Sequence, residues 1–124
     1  MSVIVRDDGF HAEDYTGDAV LDIAPDTGPD ALLVSFDGID LIRIAFPAFS
    51  DGRGFTLARH LRGRGYTGRL RAVGPVISDQ YAMARRSGFD EVEIPDDLAL
   101  RQPAEEWVFR ADWRAHDYRS QIRA

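Results

Sequence analysis

Residues 51–54, Asp-Gly-Arg-Gly, form the segment of this chain best suited to bind an anion. They follow an apolar run and precede a helical pattern, and the first N–H groups of a helix attract negative charge. Gly52 and Gly54 would let the backbone approach a ligand closely, and the fork of Arg53 matches an oxyanion or a carboxylate. Asp51 offers the alternative, because it can cap the helix or pair with Arg53 and so exclude an external anion. The segment lacks the Lys-Ser/Thr of a phosphate loop, so a capped turn and an anion site both stay open.

Four arginines that follow this turn form a second candidate. Arg59 and Arg62 share one face of the predicted helix, and Arg69 and Arg71 project from one face of the strand after it. If the two faces adjoin, four guanidiniums converge, which favours an anionic partner. The alternative is internal pairing with acids from the flanking segments, which adds little stability at a surface.

A third candidate is Asp79, which stands with Gln80 at the start of the next predicted helix. Asp79 is the one acid among residues 52–89, so it is the best general-base candidate if the protein is an enzyme. Its position after a strand and at the start of a helix is most simply that of a helix N-cap. The sequence therefore leaves the catalytic residues unassigned, with Asp79 a weak candidate.

The residue types that hold metals and redox cofactors are scarce. The chain contains no cysteine, and His11, His60 and His116 lie far apart. No GxGxxG follows a predicted strand, and no haem ligand pair is evident. We expect no metal site, and no cofactor is evident. Electron transfer would need a cofactor held by a partner, or a flavin bound without a recognisable motif.

Strands and helices alternate along the middle of the chain. Apolar or alternating runs bounded by turn residues predict strands at residues 31–36, 41–46, 69–73 and 92–94. Helices are predicted between them at 53–62 and 78–87, the second ended by Gly88. This pattern predicts a small α/β domain, a mostly parallel sheet with flanking helices and flavodoxin- or receiver-like topology. Receiver phosphorylation is not expected, because the strand end that would carry its aspartate reads Ala45-Phe46 and the chain contains no lysine.

The predicted domain spans residues 1–124. It consists of an acidic, irregular arm with an N-terminal hairpin over residues 1–30, a βαβαβ core over 31–95 and a C-terminal helix over 103–118. The third core strand alternates, which predicts partial exposure. The C-terminal helix and tail concentrate the aromatic residues Trp107, Phe109, Trp113 and Tyr118. They predict docking of this helix on the sheet, with a homodimer or partner surface as the alternative.

Charge is distributed unevenly along the 124 residues. The net charge is −6, yet residues 52–89 hold eight arginines and one acid, a balance of +7. A sequence pI of about 4.9 disfavours nucleic acid as the partner. No run reaches ~18 apolar residues and the N-terminus lacks a signal pattern, so we expect a cytoplasmic protein without membrane contact.

Residues 46–95 resemble a bacterial family of unknown function, some of whose members are described as oxidoreductases involved in sulfite reduction. The matching motifs are Phe46-Pro47, Asp51-Gly52-Arg53-Gly54, Leu70-Arg71-Ala72, Asp79-Gln80 and Gly88-Phe89-Asp90. The resemblance implies an association with the sulfite reductase hemoprotein in sulfate assimilation and assigns no catalytic residue. Pro75 and Ser87 depart from the family pattern, which often has an acid and a cysteine at these positions.

Three functions are compatible with these observations. The first is an accessory or adaptor protein of sulfite reduction, whose Arg53, Arg59, Arg62 and Arg71 face binds an acidic surface of the reductase or of its electron donor. The second is an anion-binding domain or enzyme acting on a sulfur oxyanion, with residues 51–54 as the cradle and Asp79 as acid and base. The third is a structural dimer without catalysis. The sequence does not decide whether the protein is an enzyme.

Overall fold

The computed structural model describes residues 2–28, 36 and 38–111, which form one mixed sheet with helices. The strands are β1 (Ser2–Arg6), β2 (Gly9–His11), β3 (Val20–Ile23), β4 (Leu41–Ala45), β5 (Arg69–Val73) and β6 (Glu91–Pro95). The helices are α1 (Arg53–Gly63), α2 (Tyr81–Ser87), α3 (Asp96–Arg101) and α4 (Ala104–Arg110). A 3₁₀ turn, Ser78–Gln80, leads into α2.

The strands lie in the order β2-β1-β6-β5-β4-β3. From β3 to β6 each strand pairs in parallel with the next one along the chain, and β1 is antiparallel to both β6 and β2. These pairings confirm a small α/β domain with a mostly parallel sheet, flanking helices and an N-terminal hairpin.

The strand order differs in detail from the flavodoxin-like arrangement that the sequence suggests. A doubly wound sheet such as 2-1-3-4-5 reverses its direction and so carries helices on both faces. Here the parallel strands follow one another without reversal, and right-handed crossovers then place α1 and α2 on the same face. The two helices meet there, since Nε of Arg62 on α1 donates to the carbonyl of Gly88, just after α2, at 2.9 Å.

Alternation along the strands separates an apolar from a charged face. The apolar residues that pack into the core beneath the helices are fully buried: Ile42, Ile44, Leu70, Ala72, Val92 and Ile94. Charged residues alternate with them and project from the other side of the sheet. We call this side the polar face and define it by Arg6, Asp22, Arg43, Arg69, Arg71, Glu91 and Glu93.

Residues 2–28 hold more regular structure than predicted for the segment 1–30. They contain β3 as well as the hairpin, and β3 escapes prediction because Val-Leu-Asp-Ile is short and lies among acids. Residues 12–18 cross the polar face without helix or ladder hydrogen bonds, and from here on the name arm refers to these residues alone. The predicted strand at 31–36 lies outside the described residues except for Phe36, whose ring packs edge-on against Tyr66 at 5.2 Å.

The helices end and dock largely as predicted. Gly88 follows α2 with φ +115°, a left-handed conformation that suits glycine at a helix C-terminus. Trp107 of α4 is fully buried, with its ring 5.9 Å from that of Tyr81, so the helix docks on its own fold at this point. Trp113 and Tyr118 lie outside the described residues.

Within the described part of the chain, no helix is long and apolar enough to cross a membrane.

Candidate functional site

Asp51 and Arg53 pair with each other at the start of α1. Nη2 of Arg53 donates to Oδ2 of Asp51 at 2.6 Å, and Nε and the backbone N of Arg53 donate to Oδ1 at 3.0 and 3.1 Å. The hydrogen bonds from Arg53 lower the pKa of the Asp51 carboxyl to about 2. Asp51 therefore takes both the guanidinium fork and the first N–H of the helix, which counts against an external anion at this position.

Gly52 and Gly54 differ in what they do for packing. Gly52 is the N-cap residue of α1, and a Cβ there would meet only Cδ2 of Phe55, at 4.0 Å. A Cβ on Gly54 would lie 2.3 Å from Cζ of Phe46, whose ring is buried beside those of Phe55 and Phe89. Gly54 thus allows α1 to approach Phe46, which is a packing role and not an approach to a ligand.

The Ser78–Gln80 turn uses its polar side chains internally. Oδ1 of Asp79 accepts a hydrogen bond from Nη2 of Arg110 at 2.8 Å, and Asp79 is exposed. Oε1 of Gln80 accepts from the backbone N of Ile77 at 3.2 Å, and Nε2 of Gln80 donates to the carbonyl of Phe49. Ile77 is the N-cap residue of this turn, so the prediction of Asp79 as the cap is wrong. The carboxylate of Asp79 contacts Arg110 on α4 instead. This placement adds no support for Asp79 as a general base.

A cleft of about 550 Å³ lies between this turn and α4. The backbone N of Ser78 donates to Oε1 of Gln102 at 2.7 Å, and Oγ of Ser78 is 3.5 Å from Oε2 of Glu106. Throughout the described residues, every buried side-chain N or O atom has a hydrogen-bond partner. The buried polar groups beside the cleft are therefore already hydrogen-bonded within the protein.

The arginines predicted to converge do not share a surface. Arg59 and Arg62 lie on α1, whereas Arg71 lies on the polar face, on the other side of the sheet. The alternation of β5 is the reason: Leu70 and Ala72 face the helices, so Arg69 and Arg71 must face away from them. The condition for four converging guanidiniums is therefore not met, and Arg62, Arg69 and Arg71 show the alternative, internal pairing with acids.

Arg62 is engaged inside the fold. Its guanidinium donates to the carbonyl of Gly88 at 2.9 Å, of Tyr66 at 3.0 Å and of Gly68 at 2.8 Å. Nη2 also donates to Oδ2 of Asp90 at 3.0 Å. These bonds join the end of α1 to the segments that flank β5 and β6, so Arg62 has a structural role and is not available to a partner.

Arg59 and Arg86 remain on the outer surface of the helix layer. Nη2 of Arg59 donates to Sδ of Met83 at 3.5 Å, and Met83 is 38% exposed. Arg86 is exposed three residues after Met83 on α2, which is the spacing of neighbours on one helix face. Neither arginine makes an ion pair within residues 2–28, 36 and 38–111. We call Arg59, Met83 and Arg86 the helix face.

Arg71 is the centre of the polar face and is fully buried. Its Nε donates to Oε2 of Glu91 at 2.6 Å and its Nη1 to Oε1 of Glu93 at 3.0 Å. The two Nη atoms form a fork onto the Glu13 carboxylate, at 2.9 and 2.8 Å. Burial by itself lowers the pKa of Arg71, but the hydrogen bonds of Glu13 and Glu91 outweigh it, so the pKa is raised. The prediction that this strand is partly exposed is wrong at Arg71, because the arm covers it.

The arm contributes a second carboxylate to the polar face. Oδ1 of Asp14 accepts from Nη2 of Arg6 at 2.7 Å and from Nη2 of Arg69 at 3.1 Å. The hydrogen bonds from Arg6 and Arg69 lower the pKa of Asp14, and the bond from Arg71 lowers that of Glu13. Two adjacent carboxylates of the arm thus pair with three arginines of the sheet.

The sequence carries a signal for part of this network. Arg69 and Arg71 recur at every second residue, as do Glu91 and Glu93, and both pairs fall on adjacent parallel strands in which Arg71 and Glu91 are register partners. Opposite charges at that spacing predict cross-strand pairs. Glu13 has no comparable signal, because it comes from an irregular segment 58 residues from Arg71.

The family described as "Bacterial protein of unknown function (DUF934)" matches residues 20–124 of the sequence. The chain belongs to this family. No curated protein and no solved structure matches it. The match to DUF934 agrees with the resemblance seen in the sequence, while sulfite reduction remains a prediction.

The DUF934 match begins at the first residue of β3, directly after the segment that contains the arm. It includes Arg59 and Arg86 of the helix face and Arg43, Arg69 and Arg71 of the polar face, and it excludes the arm and the β1–β2 hairpin. Within the described part of this DUF934 protein, no group of three His, Asp or Glu residues could hold a metal ion. The chemistry that the geometry offers is the binding of carboxylates by exposed guanidiniums.

Proposed function

We propose that this protein is a non-redox accessory protein of sulfite reduction, whose helix face binds an acidic surface of the sulfite reductase hemoprotein or of its electron donor. The association with sulfite reduction comes from the family resemblance. The docking role is supported by one observation: Arg59 and Arg86 are exposed and make no ion pair with the described residues.

The contrast with the other arginines gives this observation its weight. Most described arginines form ion pairs with acids of the same chain: Arg6, Arg43, Arg53, Arg62, Arg69, Arg71, Arg85, Arg101 and Arg110. In a chain of net charge −6, two exposed cations on one face are therefore a local exception. They replace the larger face of Arg53, Arg59, Arg62 and Arg71 that the sequence suggested.

The helix face combines the properties of a rapidly formed, charge-steered interface. Guanidiniums make forked contacts with carboxylates, and Met83 between them adds a flexible apolar side chain that adapts to different surfaces. Complementary charge at an interface accelerates association and loses its effect as salt screens it. An accessory protein that binds transiently to a reductase needs this behaviour.

A second candidate, the structural dimer, is favoured by one observation on α4. Val108 is 42% and Phe109 66% exposed on this short helix, although Trp107 between the helix and the core is buried. Light scattering distinguishes the candidates. A wild-type mass of two chains that falls to one chain in the double variant Val108→Ser/Phe109→Ser supports the dimer. A monomeric wild type would contradict it.

The experiment for the proposed function is co-purification from cells grown on sulfate as the sole sulfur source. The bait proteins are the tagged wild type, the double variant Arg59→Glu/Arg86→Glu and the control Arg101→Glu, which reverses an exposed charge on α3. We expect the wild type and the control to retain the reductase hemoprotein or its donor, and the double variant to retain at least about ten-fold less. Equal recovery with all three baits, or none of these proteins with the wild type, would contradict the proposal.

A further inference from the structure

The polar face is built like a binding site for carboxylates, and the arm lies on it like a ligand. We propose that the polar face is a second docking surface, which takes an acidic segment of a partner protein and which the arm occupies in the free chain. This surface is on the opposite side of the sheet from the helix face, so the proposal is independent of the helix-face function.

The guanidiniums of the polar face point to carboxylate as the ligand chemistry. The fork of Arg71 receives the Glu13 carboxylate end-on, at 2.9 and 2.8 Å, and Arg6 and Arg69 converge on one oxygen of Asp14. Planar forks of this kind match carboxylates in geometry as well as charge. Two consecutive acidic residues in an extended segment therefore fit the three arginines.

The strands alone do not neutralise this face. They supply four arginines, namely Arg6, Arg43, Arg69 and Arg71, against the three acids Asp22, Glu91 and Glu93. The arm adds the carboxylates of Glu13 and Asp14, which changes the formal charge of this face from positive to negative. Removal of the arm would leave a cationic face with the end of the Arg71 fork open to solvent.

The arm is attached by charge and by little else. Ala12, Glu13, Asp14, Thr16 and Asp18 are exposed, and Tyr15 is half-buried with its ring 5.8 Å from the Arg69 guanidinium. Glu13 meets the fully buried Arg71, but Glu13 and Asp14 are themselves about half exposed, which limits the net stability of their ion pairs, and ordering the backbone opposes them. The arm can also leave the face without breaking a strand, because β2 ends at His11 before it and β3 begins at Val20 after it.

The extent of the family match separates the face from the arm. Arg43, Arg69 and Arg71 lie inside the residues that DUF934 matches, and residues 12–18 lie outside them. Apart from Arg6 on β1, the receiving surface therefore lies within the family match, and the segment that covers it belongs to the preceding part of this chain. A tethered segment competes with an external one at an effective concentration of about millimolar, so the arm would mask the face against weak partners.

The test uses the arm itself as the probe. A fluorescein-labelled peptide of residues 12–18, Ala-Glu-Asp-Tyr-Thr-Gly-Asp, is titrated by anisotropy beside a Gln/Asn twin, in which Gln and Asn replace Glu13 and Asp14 and only Asp18 keeps its charge. The proteins are the wild type, Glu13→Gln/Asp14→Asn, and the control Asp18→Asn, which removes an arm charge without a contact to the polar face. We expect the double variant to bind the acidic peptide at least about ten-fold more tightly than the wild type or control. This binding should weaken as salt is added.

Two results would overturn the proposal. The double variant could fail to bind the acidic peptide, or could bind the acidic peptide and its Gln/Asn twin equally. Hydrogen exchange on the wild type supplies a test that needs no variant. We expect the arm amides to exchange far faster than those of β6, and exchange as slow as in β6 would show an arm that does not open.

Discussion

Nε of Arg71 donates a 2.6 Å hydrogen bond to Oε2 of Glu91, and both side chains are almost completely shielded from solvent. Such a buried pair has a high desolvation cost, so the loss of one partner strands the charge of the other. Arg69 and Arg6 also contact Glu91, at 2.8 and 3.1 Å, so the pair belongs to a network. This network holds the charged side of the sheet together.

The first prediction concerns the Arg71 centre. Arg71→Met leaves the buried Glu91 carboxylate short of its closest donor and should lower the free energy of unfolding by about 3 kcal/mol. The control Arg43→Met removes a half-exposed pair with Asp22 on the same face and should cost under about 1 kcal/mol. Urea denaturation measures both. Equal losses would show that burial of the Arg71 pair has no particular weight.

The second prediction concerns the contact between Gly54 and Phe46. A Cβ at position 54 would lie 2.3 Å from the Phe46 ring, which is buried and packed against the rings of Phe55 and Phe89. Gly54→Ala should therefore destabilise the protein by about 1–2 kcal/mol, even though alanine favours helices. Gly52→Ala, with its nearest contact at 4.0 Å, should change stability by less than about 0.5 kcal/mol. A stabilised Gly54→Ala variant in thermal unfolding would contradict the packing role.

The third prediction is a pH dependence at Asp51. Its pKa is lowered from 3.8 to about 2 by Arg53, so the pair stabilises the turn above pH 3.8 and is lost as the pH falls through about 2. An NMR titration of the carboxyl carbon should give a midpoint near 2, which Arg53→Gln returns towards 3.8. A wild-type midpoint near 3.8 would mean that Arg53 is free, and would revive the anion site at this turn.

Much of the fold could be predicted because its signals are local. Apolar or alternating runs bounded by turn residues locate β4, β5 and β6, helical spacing of apolar residues locates α1 and α2, and Gly88 marks the end of α2. The direction in which strands add to the sheet has no such signal. Flavodoxin-like and consecutive orders share the same alternation of strands and helices, and tertiary packing decides between them.

The candidate site was harder to predict than the fold. The spacing of Arg59 and Arg62 places both on one side of α1. Whether Arg71 lies beside them depends on which side of β5 is apolar. The burial of Arg71 depends further on the path of the arm, which follows no periodic pattern. Sequence types and spacings therefore identify which residues are charged, and the fold decides which of those charges are left for a partner.

The most direct test of the docking proposal is the affinity for purified sulfite reductase hemoprotein as a function of salt. Fluorescence titrations with the wild type, Arg59→Glu/Arg86→Glu and Arg101→Glu would cover low to near-molar salt. The account predicts binding that weakens steadily with salt for the wild type and Arg101→Glu, and at least about ten-fold weaker, salt-insensitive binding for the double variant. A double variant with wild-type affinity and salt dependence would contradict docking through the helix face.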